Sequence, residues 1–274
     1  MTQKILFNIL TRSSKRPIGF NKCHDSIKLQ SYKKFKHYVS IDNQIDLEYL
    51  QGKDVIIVKI KKQCDSNVKY NENGNRYAPY NLYCNELLEQ VQDGWILFLD
   101  DDDNLLHNKV LKELVKYIKK YDEDTLFIWQ MRYPNGKVVP SNELIKKRII
   151  KINNIGSPCF MFHFKYKDMA KWDSFKGSDF RFINQLTKNI SKQVFINKVF
   201  IQINNFGDLG NKNDIIYPNL NKLPFAFNKN LLWYFIPKYH FKIFNIYFFS
   251  KITYLNFFNK IIIKIKYIFN KSNS

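Results

Sequence analysis

A chain of 274 residues with 45% apolar side chains can build one sizeable domain with an appendage, or two domains, and is too apolar for wholesale disorder. Its 44 Lys and Arg against 24 Asp and Glu give a formal charge of +20, which favours anionic partners. The Lys, Asn, Ile, Phe and Tyr content also follows AT-rich codons, so charge does not choose between phosphate, nucleic acid and acidic lipid. Cys23, Cys64, Cys84 and Cys159 lie far apart with no C-x-x-C pair. That excludes a conventionally spaced zinc site or disulfide framework and suits free thiols in a reducing compartment.

KILFNILT (residues 4–11) reads as a first strand, its apolar run broken by Asn8 and too short for a signal peptide. The turn-rich RSSKRP follows, then GFNKCHDSIKLQSY with apolar residues at helical intervals. KHYVSID is a strand, NQIDLEYLQG a helix and DVIIVKIK a strand. The polar loop NENGNRYAPYN leads into a helix through LYCNELLEQVQDG and the strand WILFLD. Next, NKVLKELVKYIKKYD places Val110, Leu111, Leu114, Val115 and Ile118 on one helical face. Alternating strands and helices predict βαβ units, a mostly parallel Rossmann-like sheet, and ligands at the strands' carboxyl ends. Those ends fall at Thr11-Arg12, Asp42 and Asp100 to Asp103.

Beyond residue 125 the pattern changes. TLFIWQMRYPNGKVVP predicts a strand and hairpin turning at Asn135-Gly136. GSPCFMFHF is a strand, KYKDMAKWDSFKGSDFRFINQLTK a loop and helix, and VFINKVFIQIN a late strand. The division expected is an α/β domain over residues 1–225 and a basic aromatic segment over 226–274. From Ile215 to Ser274 there is no acidic residue, and lysines interrupt every long apolar run. That tail suits a helix lying on an anionic membrane surface, or a helical hairpin packed on the domain or on a second copy.

The opening strand WILFL runs into four consecutive aspartates. Carboxylates so crowded repel one another, and a divalent cation is a natural compensation, because Mg²⁺ and Mn²⁺ take hard oxygen ligands and bridge to phosphates. Capping of the following helix is the competing explanation, but a cap needs one oxygen, not four. Asp42 and Asp179 could likewise cap the helices beside them, and Arg12 and Arg76 could be solvated loop charges. Trp129 and Trp172 suit sugar stacking or core packing. His163 and His240 are candidates for a further metal ligand.

GWILFLDDDDNLLHNKVL resembles the D-x-D segment of family 2 glycosyltransferases with the GT-A fold. KILFNILTRSSKRPIGFNKCHDSI is similar to that family's first strand, nucleotide loop and first helix, and KHYVSIDN to its second strand. APYNLYCNELLEQVQDG resembles the helix before the D-x-D strand, and KWDSFKGSDFRFINQL the acceptor-side motif. The likeness covers about residues 4 to 190. It implies a metal-dependent transfer of sugar from a nucleotide diphosphate, UDP favoured by family frequency, to a hydroxyl of a glycan, lipid-linked or protein acceptor.

Carried over, the resemblance makes Asp102 the direct ligand of Mn²⁺ or Mg²⁺, with Asp100 assisting the metal or the ribose and Asp101 on the nucleotide side. Thr11 and Arg12 would frame the base and diphosphate, Asp42 the uracil or ribose, and Arg76 and Asn81 the donor. Asp179 would be the general base, in a single displacement with inversion. Two positions depart from the family: Ser178 stands where Glu often precedes the base, and Tyr80-Asn81 replaces an Arg-Asn pair. The expected location is cytoplasmic, peripheral at a membrane through the tail, with no nucleic-acid partner. Two other classes remain: a nucleotidyltransferase, which would want a glycine-rich loop where TRSSKRPIG stands, and a non-catalytic basic module for lipid or nucleic acid.

Overall fold

The computed structural model describes residues 5–61 and 70–204. Cys64, His240, the tail and the expected boundary at residue 225 lie outside the described residues. Strands β1 (Phe7–Arg12), β2 (Phe35–Ile41), β3 (Ile56–Lys59) and β4 (Trp95–Phe98) form the first half of one sheet. Helices α1 (Pro17–Lys28), α2 (Asp46–Leu50) and α3 (Tyr83–Glu89) lie between them. Four further strands join: β5 (Asp103–Leu105), β6 (Thr125–Arg132), β7 (Val138–Val139) and β8 (Phe160–His163). Helices α4 (Val110–Lys120), α5 (Asn142–Lys147) and α6 (Ser178–Asn189) and the long β9 (Lys192–Ile203) complete the described residues.

The sheet order is β3-β2-β1-β4-β8-β6-β9-β5, with β7 added to β6. β1 pairs in parallel with both β2 and β4, β2 with β3, and β6 with β9. β8 runs antiparallel between β4 and β6, so all strands but β5, β7 and β8 point the same way. The result is a mixed α/β fold with a largely parallel sheet, as the alternating pattern predicts.

Local chemistry accounts for the joints. Pro17 opens α1, where its missing N–H costs nothing. Gly94 precedes β4 at φ +82°, and a Cβ there would meet the Leu6 carbonyl oxygen at 2.6 Å, so only glycine lets the chain turn so close to β1. The hairpin turns at Asn135-Gly136 as expected, with Gly136 at φ +80°. Val110, Leu111, Leu114, Val115 and Ile118 are all buried, which is the α4 face the 3.6 period selects. The core also takes the whole of β4 and β8, Trp129, and the free thiols of Cys23, Cys84 and Cys159.

Two elements were not foreseen, the short helix α5 and the strand β5. The aspartate run does not open a helix; Asp103 begins β5, pairs with Ile203 of β9 and is 5% exposed, seven residues ahead of α4.

Candidate active site

Because β1, β2 and β4 are parallel, their carboxyl ends bring Arg12, Asp42 and Asp100 to one edge. A cleft of about 650 Å³ opens there. It is lined by Arg12, the loop Ser13 to Arg16, Asp42, Tyr80, Asn81, the four aspartates, and Trp172 and Lys176 to Asp179.

The four aspartates have four different environments. Asp100 is held by Arg12 through two parallel bonds, Nε to Oδ1 at 2.9 Å and Nη2 to Oδ2 at 2.6 Å. Asp101 is 3% exposed and turns to the loop after β1. It accepts from the Ser13 hydroxyl at 3.0 Å, the Ser14 N–H at 3.3 Å and Arg16 Nη1 at 2.8 Å. Burial pushes its carboxyl up to about 7, with repulsion from Asp102 and Asp100 adding and Arg16 opposing. Asp102 meets Arg16 Nη1 at 3.4 Å; burial raises its pKa from the ordinary aspartate value, with Arg16 opposing and Asp100 adding. Asp103, buried beside the other three, is also raised well above the ordinary aspartate value, through burial first and then the charges of Asp102, Asp100 and Asp101.

Across the cleft, Gly177 at φ +79° ends a loop that feeds α6. Arg181 fixes that loop: Nη2 donates to Asp173 Oδ1 at 2.7 Å and to the carbonyls of Phe175 at 3.0 Å and Lys176 at 3.1 Å. Asp179 therefore stands in the first turn of α6, its Oδ1 accepting the Phe180 N–H at 2.8 Å. Burial raises its pKa, the Asp100 charge adds to this, and Arg12 opposes. Asn81 ties the two sides together, accepting from Arg12 Nη1 at 2.9 Å and donating to the Phe175 carbonyl at 2.9 Å.

Two expectations require correction in placement. Thr11 is fully buried; its hydroxyl donates to the Leu99 carbonyl at 2.7 Å and lies 2.9 Å from His37 Nε2, so it braces β1 against β4 and does not face the cleft. Arg76 is exposed and outside the cleft lining, its carbonyl accepting the Lys176 N–H at 2.8 Å; Lys176 itself reaches the cleft, with its ammonium 5.3 Å from the Tyr80 ring. Asp101 lines the cleft, with its carboxylate bonded to the loop Ser13 to Arg16, which lines the same cleft. Asp42 does line the cleft, held by the Tyr83 hydroxyl at 2.7 Å, and does not cap α2, whose N-cap is Ile45.

Trp129 is core, donating to the Pro158 carbonyl at 2.7 Å, and Trp172 stacks on Phe182 with centroids 4.8 Å apart. His163 pairs with Trp95 at the start of β4, away from the aspartates, 3.5 Å from Glu123. Ser13, Arg16 and Lys176 are the site residues that reading by motif passes over. Arg16 had a signal, a cation at a loop-to-helix boundary opposite an acidic run, but Pro17 after it draws the eye to helix initiation.

Among the described residues no set of three or more His, Cys, Asp or Glu is arranged to hold a metal ion by itself. The donor chemistry fits a cation shared with a ligand. With Asp100 and Asp101 each held by an arginine, Asp102 is the loosely held carboxylate, and Mg²⁺-type sites use one or two carboxylates with phosphates and water. No helix among the described residues is long and apolar enough to cross a membrane.

The mixed α/β architecture with its largely parallel sheet is similar to that of solved glycosyltransferase structures. A structure of S. aureus TarS residues 1–349 superposes with a TM-score of 0.55 at 17% identity, covering 72% of this chain and 60% of that one. The same protein in complex with UDP-GlcNAc gives 0.52 at 17% identity over 72% and 58%. The mannosyltransferase PcManGT from Pyrobaculum calidifontis, in complex with GDP-Man and Mn²⁺, gives 0.53 at 9% identity over 73% and 57%. This chain thus spans less than two thirds of those neighbours. No protein-family model matches the sequence, and no curated protein matches it.

Proposed function

We propose that the protein is a glycosyltransferase that moves a sugar from a nucleotide diphosphate, UDP favoured, to an acceptor hydroxyl with inversion. One observation carries the reading: Asp100 to Asp102 at the end of β4 and Asp179 at the start of α6 line a single cleft together with Arg12, Arg16 and Lys176. The neighbours' complexes with UDP-GlcNAc and with GDP-Man and Mn²⁺ support it.

The roles follow from environment. Asp42 and Asn81 lie where the nucleoside would rest, and Arg12 holds Asp100 in place beside it. Asp102, with Asp100 behind it, would hold Mn²⁺ or Mg²⁺; such an ion neutralises the charge that a departing diphosphate develops. Arg16 and Lys176 add positive charge to the same cleft. Asp179 takes the proton from the acceptor hydroxyl, and its raised pKa makes it a stronger base than an exposed aspartate. One base and one charged leaving group make a single displacement, hence inversion. The acceptor is a glycan, lipid-linked or protein hydroxyl, and the basic tail is proposed to hold the enzyme at an anionic membrane surface. The nucleotidyltransferase alternative loses ground because the loop Ser13 to Arg16 contains no glycine to cradle a triphosphate.

The test is a calorimetric titration of UDP- and GDP-sugars into the full chain with and without Mn²⁺. Mn²⁺-dependent binding of a nucleotide sugar, lost in Asp102→Ala while the thermal transition survives, is the expected result. Equal binding by wild type and Asp102→Ala in saturating Mn²⁺ would overturn the metal assignment, and no binding of any nucleotide sugar would overturn the function.

A further inference from the structure

The acidic knot carries a cation of its own. Arg16 is 8% exposed, and its Nη1 lies 2.8 Å from Asp101 Oδ1 and 3.4 Å from Asp102 Oδ2. Its backbone is pinned, since Pro17 is the first residue of α1 and the Arg16 carbonyl accepts the Phe20 N–H at 2.8 Å. Movement is therefore left to the side chain. The two contacts are unequal. Asp101 is fixed from three directions, by Ser13, Ser14 and Arg16, and its bond to Arg16 is the shorter. The Asp102 contact is longer than a hydrogen bond at its usual length and is the one that gives way first.

A guanidinium and a divalent cation repel each other and compete for one carboxylate. A diphosphate changes the balance, because its several negative oxygens can take a divalent ion and an arginine together. We propose that Arg16 shares Asp102 with the metal: without donor it occupies Asp102, and when cation and diphosphate enter it keeps Asp101 and turns from Asp102 to the diphosphate. This rests on the glycosyltransferase reading above and assigns Arg16 a positioning and donor-binding role within it. Two consequences follow. The cation alone binds weakly, because it must displace Arg16. Cation and diphosphate then strengthen each other's binding by the same factor, as linkage requires.

Electron paramagnetic resonance of Mn²⁺ with the full chain, with and without UDP and corrected for Mn²⁺ held by free UDP, reads these quantities directly. Arg16→Gln should bind Mn²⁺ alone about tenfold more tightly, the effect of removing a like charge a few ångströms away even under strong screening. The same variant should bind UDP more weakly and lose most of the coupling between the two. A merely structural arginine would weaken both when removed, so the opposite signs are diagnostic. Arg16→Lys, which keeps one charge but not the fork that reaches two carboxylates, should fall between wild type and Arg16→Gln and guards against a folding failure. Mn²⁺ affinity that is unchanged or weaker in both variants overturns the inference. If wild type with UDP takes up no more Mn²⁺ than Asp102→Asn, the metal reading itself fails and takes this inference with it.

Discussion

Arg12 and Asp100 face each other fork to fork, Nε to Oδ1 at 2.9 Å and Nη2 to Oδ2 at 2.6 Å, with side chains 15% and 24% exposed. The pair joins the end of β1 to the end of β4, and Arg12 Nη1 continues to Asn81. A charge-assisted bidentate pair in partial burial contributes coupling of about 2 kcal/mol, whereas removing one partner strands the other. Arg12→Ala and Asp100→Asn should each lower unfolding stability by about 2–3 kcal/mol, and the double variant by about 2 kcal/mol less than the sum. Urea unfolding of the four proteins measures the cycle. Additive losses would mean that the fork does not form in solution.

A second relationship sets a pH dependence. The Thr11 hydroxyl donates to the Leu99 carbonyl, so His37 must carry its proton on Nε2 to donate to Thr11, leaving Nδ1 to accept from His24 Nδ1–H at 3.2 Å. Phe20 stacks on both rings. Burial, then the neighbouring His24, lowers the His37 pKa to about 3, and His24 is lowered by burial and Lys53 with Asp25 opposing. Above the unfolded value of about 6.5 the ring is neutral in both states. Below it the unfolded chain takes up a proton that the folded chain refuses, so stability falls as pH falls from 6.5 toward 3. His37→Gln keeps an amide donor for Thr11 and removes this titration. The stability advantage of wild type over His37→Gln should shrink by about 2 kcal/mol between pH 7 and pH 5. Parallel stability curves for the two proteins would show that His37 does not titrate this way.

What the sequence made legible, and what it hid, follows from the range of the forces involved. The α4 face and the Asn135-Gly136 hairpin are fixed by local periodicity and turn chemistry, and both stand as read. The parallel order of β1, β2 and β4 gathers Arg12, Asp42 and Asp100, because carboxyl ends of parallel strands meet at one edge. Thr11 shows the limit. Adjacent strand residues face opposite ways, so only one of Thr11 and Arg12 can reach the ligand edge, and a motif read as a dipeptide does not say which. Strand β5 was hidden because its pairing with β9 joins residues about 100 apart in sequence, which no local pattern records. Arg76 and Lys176 exchanged places for the same reason: their loops meet through the Lys176 N–H and Arg76 carbonyl, and only the fold decides which side chain turns to the cleft.

Asp179 is where structure and chemistry make the sharpest claim. Its carboxyl is raised by burial and by the Asp100 charge, with Arg12 opposing. A base with a raised pKa is protonated, and inactive, at pH values where an exposed aspartate would still be charged. Turnover should therefore rise with pH through that raised value, placing the acidic limb of the kcat profile above the ordinary aspartate range. Asp179→Asn keeps the side-chain oxygen that accepts the Phe180 N–H, so the start of α6 is preserved. It should cost about 10³-fold in kcat, typical of removing a general base, with nucleotide-sugar affinity unchanged within about twofold. Its residual rate should lose the limb and be flat through the same pH range. Steady-state kinetics from neutral pH down through the acid range, with donor binding measured separately, decides the matter. A limb that persists in Asp179→Asn belongs to another group, and the proton acceptor must then be sought elsewhere in the cleft.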